Sequence, residues 1–267
     1  MPLRRLTLAL LVLYALLTIY SILGRPLGIA PAGIITPLVT LAGFVFALLH
    51  AGQREGWGGA LRLLALVFGV SLLFESVGVA TGWVYGPYHY THKLGPLFLG
   101  LVPYLIPVAW FMMSYPSFVI ADWLIPNTHH DGHEVSQRKN GWRRKLAVAA
   151  VGGLAMTAWD LVMDPIMVAG GHWVWDTKGA YFGIPLQNFW GWWLTIFTTF
   201  ALYLWFFRKD ARPAQVGFDR LALGSYLVTA LGIVMAALIS GASALALIGF
   251  FAMLPWAVTG WLTMASR

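Results

Sequence analysis

Long apolar runs of membrane-crossing length alternate along this chain with short polar segments that hold most of its charge. A helix needs roughly 20 apolar residues to cross a hydrocarbon core. Eight runs meet that length, over roughly residues 6–24, 27–50, 60–82, 97–125, 145–168, 187–207, 220–240 and 243–264. The first follows Arg4 and Arg5, as the apolar core of a signal peptide would. No small-x-small cleavage site follows it, so it reads as a retained helix. Short links around Arg25-Pro26 and at Ser240-Gly241-Ala242-Ser243 predict tight helix–helix turns. Pro103 and Pro107 are expected to bend the fourth run and open space beside it. The pattern predicts an all-α fold: a polytopic membrane helix bundle of about eight transmembrane helices, forming one integral-membrane domain over residues 1–267.

Charge orients that bundle. With the N-terminus in the cytoplasm, the outer segments hold only Arg25, Lys93 and Lys178, and every other basic residue falls on the inner side. Cytoplasmic loops are the ones enriched in Lys and Arg, so both termini are expected in the cytoplasm and the chain in the cell membrane, with lipid around it. Composition agrees: 59% of residues are hydrophobic and 10% charged, against about 25% charged in soluble domains. The net charge of +7 then reflects topology, and no nucleic-acid partner is expected. With no cysteine, disulfides, thiolate metal sites and cysteine nucleophiles are excluded.

Against this apolar background a few polar residues stand out. Asp160 and Asp164 lie four apart in Trp159-Asp-Leu-Val-Met-Asp-Pro165, so they share one helix face. Glu75 lies in the third run. All three carboxylates fall in the outer half of the bilayer, where an ionisable group is costly and usually faces a protein interior. The bland reading is helix-to-helix hydrogen bonding. Two outer loops, over residues 81–92 and 170–188, are rich in aromatics and glycine and are expected to fold back as lids. Asp122 is expected at an inner helix end within reach of interfacial water. Asp176 reads equally as a turn residue or as chemistry, and Asn188 as a helix cap or as a group that orients substrate or water. His89 and His92 could face the lid site or serve as amphipathic interfacial residues. The His129, His130 and His133 group invites a metal reading, but the remaining histidines do not supply the further boxes a di-iron oxidase needs. No metal is expected.

Acids, aromatic rings and amides in greasy surroundings point to a lipid-soluble substrate. A carboxylic acid withdrawn from water holds its proton and can give it to a carbon–carbon double bond. Protonating a trisubstituted isoprenoid alkene yields a tertiary cation, which aromatic faces stabilise. A second carboxylate can then take the proton of an attacking water. On this reading Asp160 or Glu75 is the acid, and Asp164 or the remaining carboxylate binds water. Asn188 and Tyr88 position that water. Trp83, Trp159, Trp173 and Trp190 form the cage, and Tyr90 adds a substrate contact.

The stretches Glu75-Ser-Val-Gly-Val-Ala-Thr-Gly-Trp-Val-Tyr-Gly-Pro-Tyr-His-Tyr90, Leu94-Gly-Pro96, Val102-Pro-Tyr-Leu-Ile-Pro107, Trp159-Asp-Leu-Val-Met-Asp-Pro165 and Gly183-Ile-Pro-Leu-Gln-Asn-Phe-Trp-Gly-Trp192 resemble the integral-membrane carotenoid biosynthesis family. That family includes hydratases of acyclic carotenoid ends and bisanhydrobacterioruberin hydratases. The resemblance covers about Glu75 to Trp193 and implies water addition across the terminal double bond of a lycopene-like or gamma-carotene-like substrate. It implies no redox cofactor, and other carotenoid-pathway enzymes as partners. Two rivals are an intramembrane prenyltransferase, whose magnesium-diphosphate motif shares the Asp160–Asp164 spacing but needs a second acidic motif, and a transporter whose acids relay protons.

Overall fold

The computed structural model describes residues 2–24, 26–29, 32–126, 134–208 and 215–266. Eight long helices carry the fold among the described residues: α1 (Pro2–Gly24), α2 (Ala32–Arg54), α3 (Trp57–Thr81), α4 (Leu105–Leu124), α5 (Glu134–Ala169), α6 (Leu186–Leu202), α7 (Val216–Ile239) and α8 (Ser243–Ala265). Among the described residues, 7 of them are long and apolar enough to cross a membrane by themselves. The other, α6, runs for 17 residues and continues as a 5-residue π-helical turn, Tyr203–Phe207. The all-α, polytopic reading therefore holds. α4 is the most deeply buried of the seven and touches α2, α3, α5, α7 and α8. α5 and α6 approach closely because Gly152 leaves room for Phe200, whose ring lies 2.5 Å from where a Cβ would stand.

The second helix lies four to five residues later than its expected run of 27–50, at Ala32–Arg54, and two further boundaries differ more. Residues 97–103 do not begin the fourth helix; β2 (Leu97–Phe98) and β3 (Val102–Pro103) form a hairpin instead. Its turn is set by Leu99 and Gly100, both at positive φ. Pro103 thus lies in a strand, and Pro107 in the first turn of α4, where a missing N–H costs nothing. Neither proline kinks the helix; the internal one is Pro116. The fifth helix begins at Glu134, well before the expected residue 145. His129, His130 and His133 lie outside the described residues.

The outer loops do fold back, and they do so together. β1 (Tyr88–Tyr90) pairs antiparallel with β4 (Trp173–Trp175), with Tyr88 opposite Trp175 and Tyr90 opposite Trp173. Side chains alternate along a strand, so these aromatics share the inner face, while His89 and Val174 face out. His89 reaches the Asp176 carboxylate there at 2.9 Å, on the exposed side of the ribbon. His92 is exposed as well. Neither histidine turns towards the carboxylates beneath.

Asp122 is held by arginine side chains. It accepts from Arg54 at 2.7 Å, Arg144 at 2.8 Å and both terminal nitrogens of Arg208 at 2.8 Å. Arg54 also reaches Glu55 and Asp219, and Arg208 reaches Glu55. Among the described residues, three arginines balance three carboxylates in a network that ties α2, α4, α5, α7 and the end of the π turn. Ion pairs this buried are stable only when every charge keeps its partners. Nearby, His50 stacks on Phe218 and hydrogen-bonds the Tyr115 hydroxyl and the Phe218 carbonyl, the position of a satisfied core histidine.

Candidate active site

A cavity of about 220 Å³ lies beneath the β1–β4 ribbon, among α1, α2, α4, α5 and α7, with Glu75 of α3 and Asn188 and Trp192 of α6 reaching its wall. The lining is largely apolar, and two carboxylates face it, Glu75 and Asp164.

Each carboxylate carries its own set of donors. Glu75 Oε2 accepts from the Tyr88 hydroxyl and, at 2.8 Å, from the Tyr90 hydroxyl; Oε1 accepts from the Trp110 indole at 3.1 Å. Asp164 Oδ1 accepts from the Trp173 indole at 2.7 Å and the Trp175 indole at 3.3 Å, and Oδ2 from the Asn188 amide at 2.8 Å. The difference matters chemically. Indole and amide N–H groups only donate, whereas a phenol can turn and accept. Burial and the adjoining Glu75 carboxylate hold the phenols of Tyr88 and Tyr90 well above the usual tyrosine range, so both keep their protons.

Asp160 occupies a different place. It is fully buried but does not line the cavity; it sits behind Asn188, whose amide donates to its Oδ2 at 2.7 Å as well as to Asp164. Its Oδ1 has no partner among the described residues. The shared helix face brings the two aspartates onto one amide.

Aromatic rings enclose the carboxylates. Trp110 and Trp192 stack at 4.1 Å, and Trp159 meets Trp192 edge-on at 5.9 Å. Tyr85 reaches Thr195 by a 2.8 Å hydrogen bond and presses into the space over Gly191, where a Cβ would come within 2.5 Å of its ring. Of the residues expected here, Glu75, Asp164, Tyr88, Tyr90, Trp159, Trp173 and Asn188 line the cavity. Trp83 and Trp190 do not: Trp83 is 74% exposed just after α3, and Trp190 is 59% exposed, stacked on Trp193 along the outside of α6. Both rings lie too far out to form part of a cage. Trp110, Trp175, Trp192 and Tyr85 were not anticipated. Trp175 had a readable signal, the alternation Trp-Val-Trp that mirrors Tyr-His-Tyr; Trp110 sits in an apolar run that gives none. Among the described residues, no group of His, Asp and Glu is arranged to hold a metal ion.

Taken together, the fold and this cavity define a polytopic membrane protein with paired carboxylates in an aromatic chamber. Residues 35–255 match the family described as "Carotenoid biosynthesis protein", and the chain belongs to that family. It is 32% identical over 163 residues to a bisanhydrobacterioruberin hydratase of Haloarcula japonica, a match covering 61% of this chain and 47% of the relative. The match thus spans about half the length of that curated relative. No solved structure matches the chain.

Proposed function

We propose that the protein is a carotenoid hydratase that adds water across the terminal C1',C2' double bond of an acyclic end group such as that of lycopene or gamma-carotene. The observation that carries this is the unlike partnering of two carboxylates on one aromatic cavity. Glu75, partnered on Oε2 by phenols that can turn, is suited to carry a proton and release it. Asp164, fixed by N–H donors alone, is suited to remain an acceptor. Glu75 gives its proton to C2', leaving a tertiary cation at C1' beside the faces of Trp110, Trp159 and Trp192. Water bonds to C1' through oxygen and passes one proton to Asp164. A proton returned from Asp164 to Glu75 resets the site, so the net change is one water added. No cofactor enters this scheme. Asp160 acts through Asn188 as a positioning residue.

The family and the named activity of the relative support the substrate class. The prenyltransferase reading needs both aspartates on one diphosphate, and Asp160 does not face the cavity. The test is expression in a lycopene-producing host. Products heavier by one water are expected from the wild type and none from Glu75→Gln or Asp164→Asn. Unchanged carotenoids with the wild type, or near-normal turnover in both amide variants, would overturn the assignment.

A further inference from the structure

The cavity has a second wall that this chemistry leaves unused. Away from the carboxylates it is lined by six hydroxyls, Tyr14, Thr18 and Ser21 from α1, Thr36 and Thr40 from α2, and Thr229 from α7. The same helices also line it with Ile22, Val39, Ile233 and Ala236, whereas α4 and α5 bring no hydroxyl to the lining at all. The hydroxyl protons are largely committed. Thr18 donates to the Tyr14 carbonyl at 2.8 Å, Thr40 to the Thr36 carbonyl at 3.0 Å and Thr229 to the Ser225 carbonyl at 3.0 Å. With its own proton so used, Thr229 accepts from the Tyr14 hydroxyl at 2.8 Å. What Tyr14, Thr18, Thr40 and Thr229 still offer is oxygen lone pairs, a wall of acceptors.

A wall of acceptors suits a ligand that brings its own O–H groups and is small enough to sit between three helices. Water held in a protein needs two to four polar partners, and this wall provides them. The wall also starts in the right place. Ser21, Thr36 and Ala236 lie within about a turn of the outer ends of α1, α2 and α7, and Tyr14 is roughly 10 Å further in than Ser21 at 1.5 Å per residue. The ribbon side offers no equivalent, because Tyr88 and Trp173 are buried and their polar atoms are taken by Glu75 and Asp164.

We propose that the hydroxyl-lined limb between α1, α2 and α7 holds a file of water and delivers it to the carboxylate chamber. The inference rests on the hydration reading for the fate of that water, and on the limb alone for its presence. Water keeps to the acceptor wall, and the isoprenoid chain lies along the α4 and α5 wall.

X-ray hydroxyl-radical footprinting of the purified full chain reads bound water directly, through oxidation of the side chains beside it. Met112 and Tyr14 are the reporters, since both close on the same point of α2 at Gly43. Both are expected to be labelled in the wild type, and the labelling is expected to fall several-fold in Thr40→Val/Thr229→Val, with exposed Tyr20 unchanged. In that variant kcat for hydration is expected to drop while KM holds. If the double variant fails to fold, Tyr14→Phe read at Met112 serves the same purpose. Wild-type labelling absent, or unaltered in the variants, would overturn the water file. Labelling that responds as expected in a protein that hydrates no carotenoid would leave the file standing and remove the hydratase reading.

Discussion

Replacing Asn188 with leucine tests the arrangement most sharply, because one amide nitrogen serves both buried aspartates, at 2.7 and 2.8 Å. Leucine keeps the approximate volume and removes both bonds. A hydrogen bond to a charged group contributes about 1.5–3 kcal/mol. Breaking a buried charged arrangement by removing one member costs about 3–5 kcal/mol. Two lost bonds and two carboxylates left facing each other place Asn188→Leu at about 3–5 kcal/mol of destabilisation. At about 2–4 °C per kcal/mol for a chain of this size, the melting temperature should fall by roughly 6–20 °C. The assay is thermal unfolding of the purified protein in detergent, followed by tryptophan fluorescence.

The same site supplies the control. Asp160→Asn removes one of the two carboxylates, so adding it to Asn188→Leu should recover much of the lost stability, a non-additivity of the kind expected between contacting residues. Turnover should not recover, since Asp164 still lacks the amide that aims it. Asp160→Asn by itself should retain most activity, because Asp160 acts from behind the cavity wall. An unchanged melting temperature in Asn188→Leu would refute the reasoning. So would an Asp160→Asn enzyme as inactive as Asp164→Asn, which would put Asp160 in contact with the reacting atoms.

Further tests bear on the lid, the clasp and the outer rings. Tyr90→Phe removes the 2.8 Å donor to Glu75 and should lower kcat by roughly 10- to 100-fold, the effect of one charge-assisted bond, measured as hydrated carotenoid formed per unit time. Because the folded-state phenols of Tyr88 and Tyr90 titrate well above the usual range, the donor-bearing forms persist below it; the rate should show no loss from these groups between pH 7 and about pH 10. Asp122→Ala leaves three arginines short of a partner and should cost about 3–5 kcal/mol, seen as a lowered unfolding midpoint with kcat of the surviving folded enzyme unchanged. Trp83→Ala and Trp190→Ala should leave kcat/KM within about twofold of wild type, since neither ring reaches the cavity and surface changes fall within about 0.5 kcal/mol.

Helix number and bundle class were legible because a membrane forces backbone hydrogen bonding into helices and leaves a long apolar signature for each. Six of the eight expected runs match helices to within about five residues at each end. The fourth misled because Leu97, Phe98, Leu101 and Val102 are as apolar as a helix yet form the β2–β3 hairpin; hydropathy does not distinguish the two when the turn is made by Leu99 and Gly100 at positive φ. The inner clasp was hidden for another reason. Asp122, Arg144 and Arg208 come from three distant segments, and each alone resembles an ordinary helix-end charge.

The candidate site was legible as a set of residues and illegible as a division of labour. A four-residue spacing establishes that Asp160 and Asp164 share a face, but the face of a buried helix is wide enough to present one side chain to a cavity and the next to a neighbouring helix. The Trp173 and Trp175 indoles distinguish Asp164, which lines the cavity, from Asp160, and Asn188, which joins the two, arrives from α6 with no local signal linking it to α5. The same holds for the lid. Tyr-His-Tyr and Trp-Val-Trp each alternate, yet only their pairing turns Tyr88 and Tyr90 onto Glu75 while Trp173 and Trp175 turn onto Asp164. One ribbon thereby gives the first carboxylate donors that can reverse and the second donors that do not. A one-residue slip of that register would reverse which side chains face inward. The chemistry assigned to the two acids therefore depends on strand pairing outside the helices as much as on the helices that carry the acids.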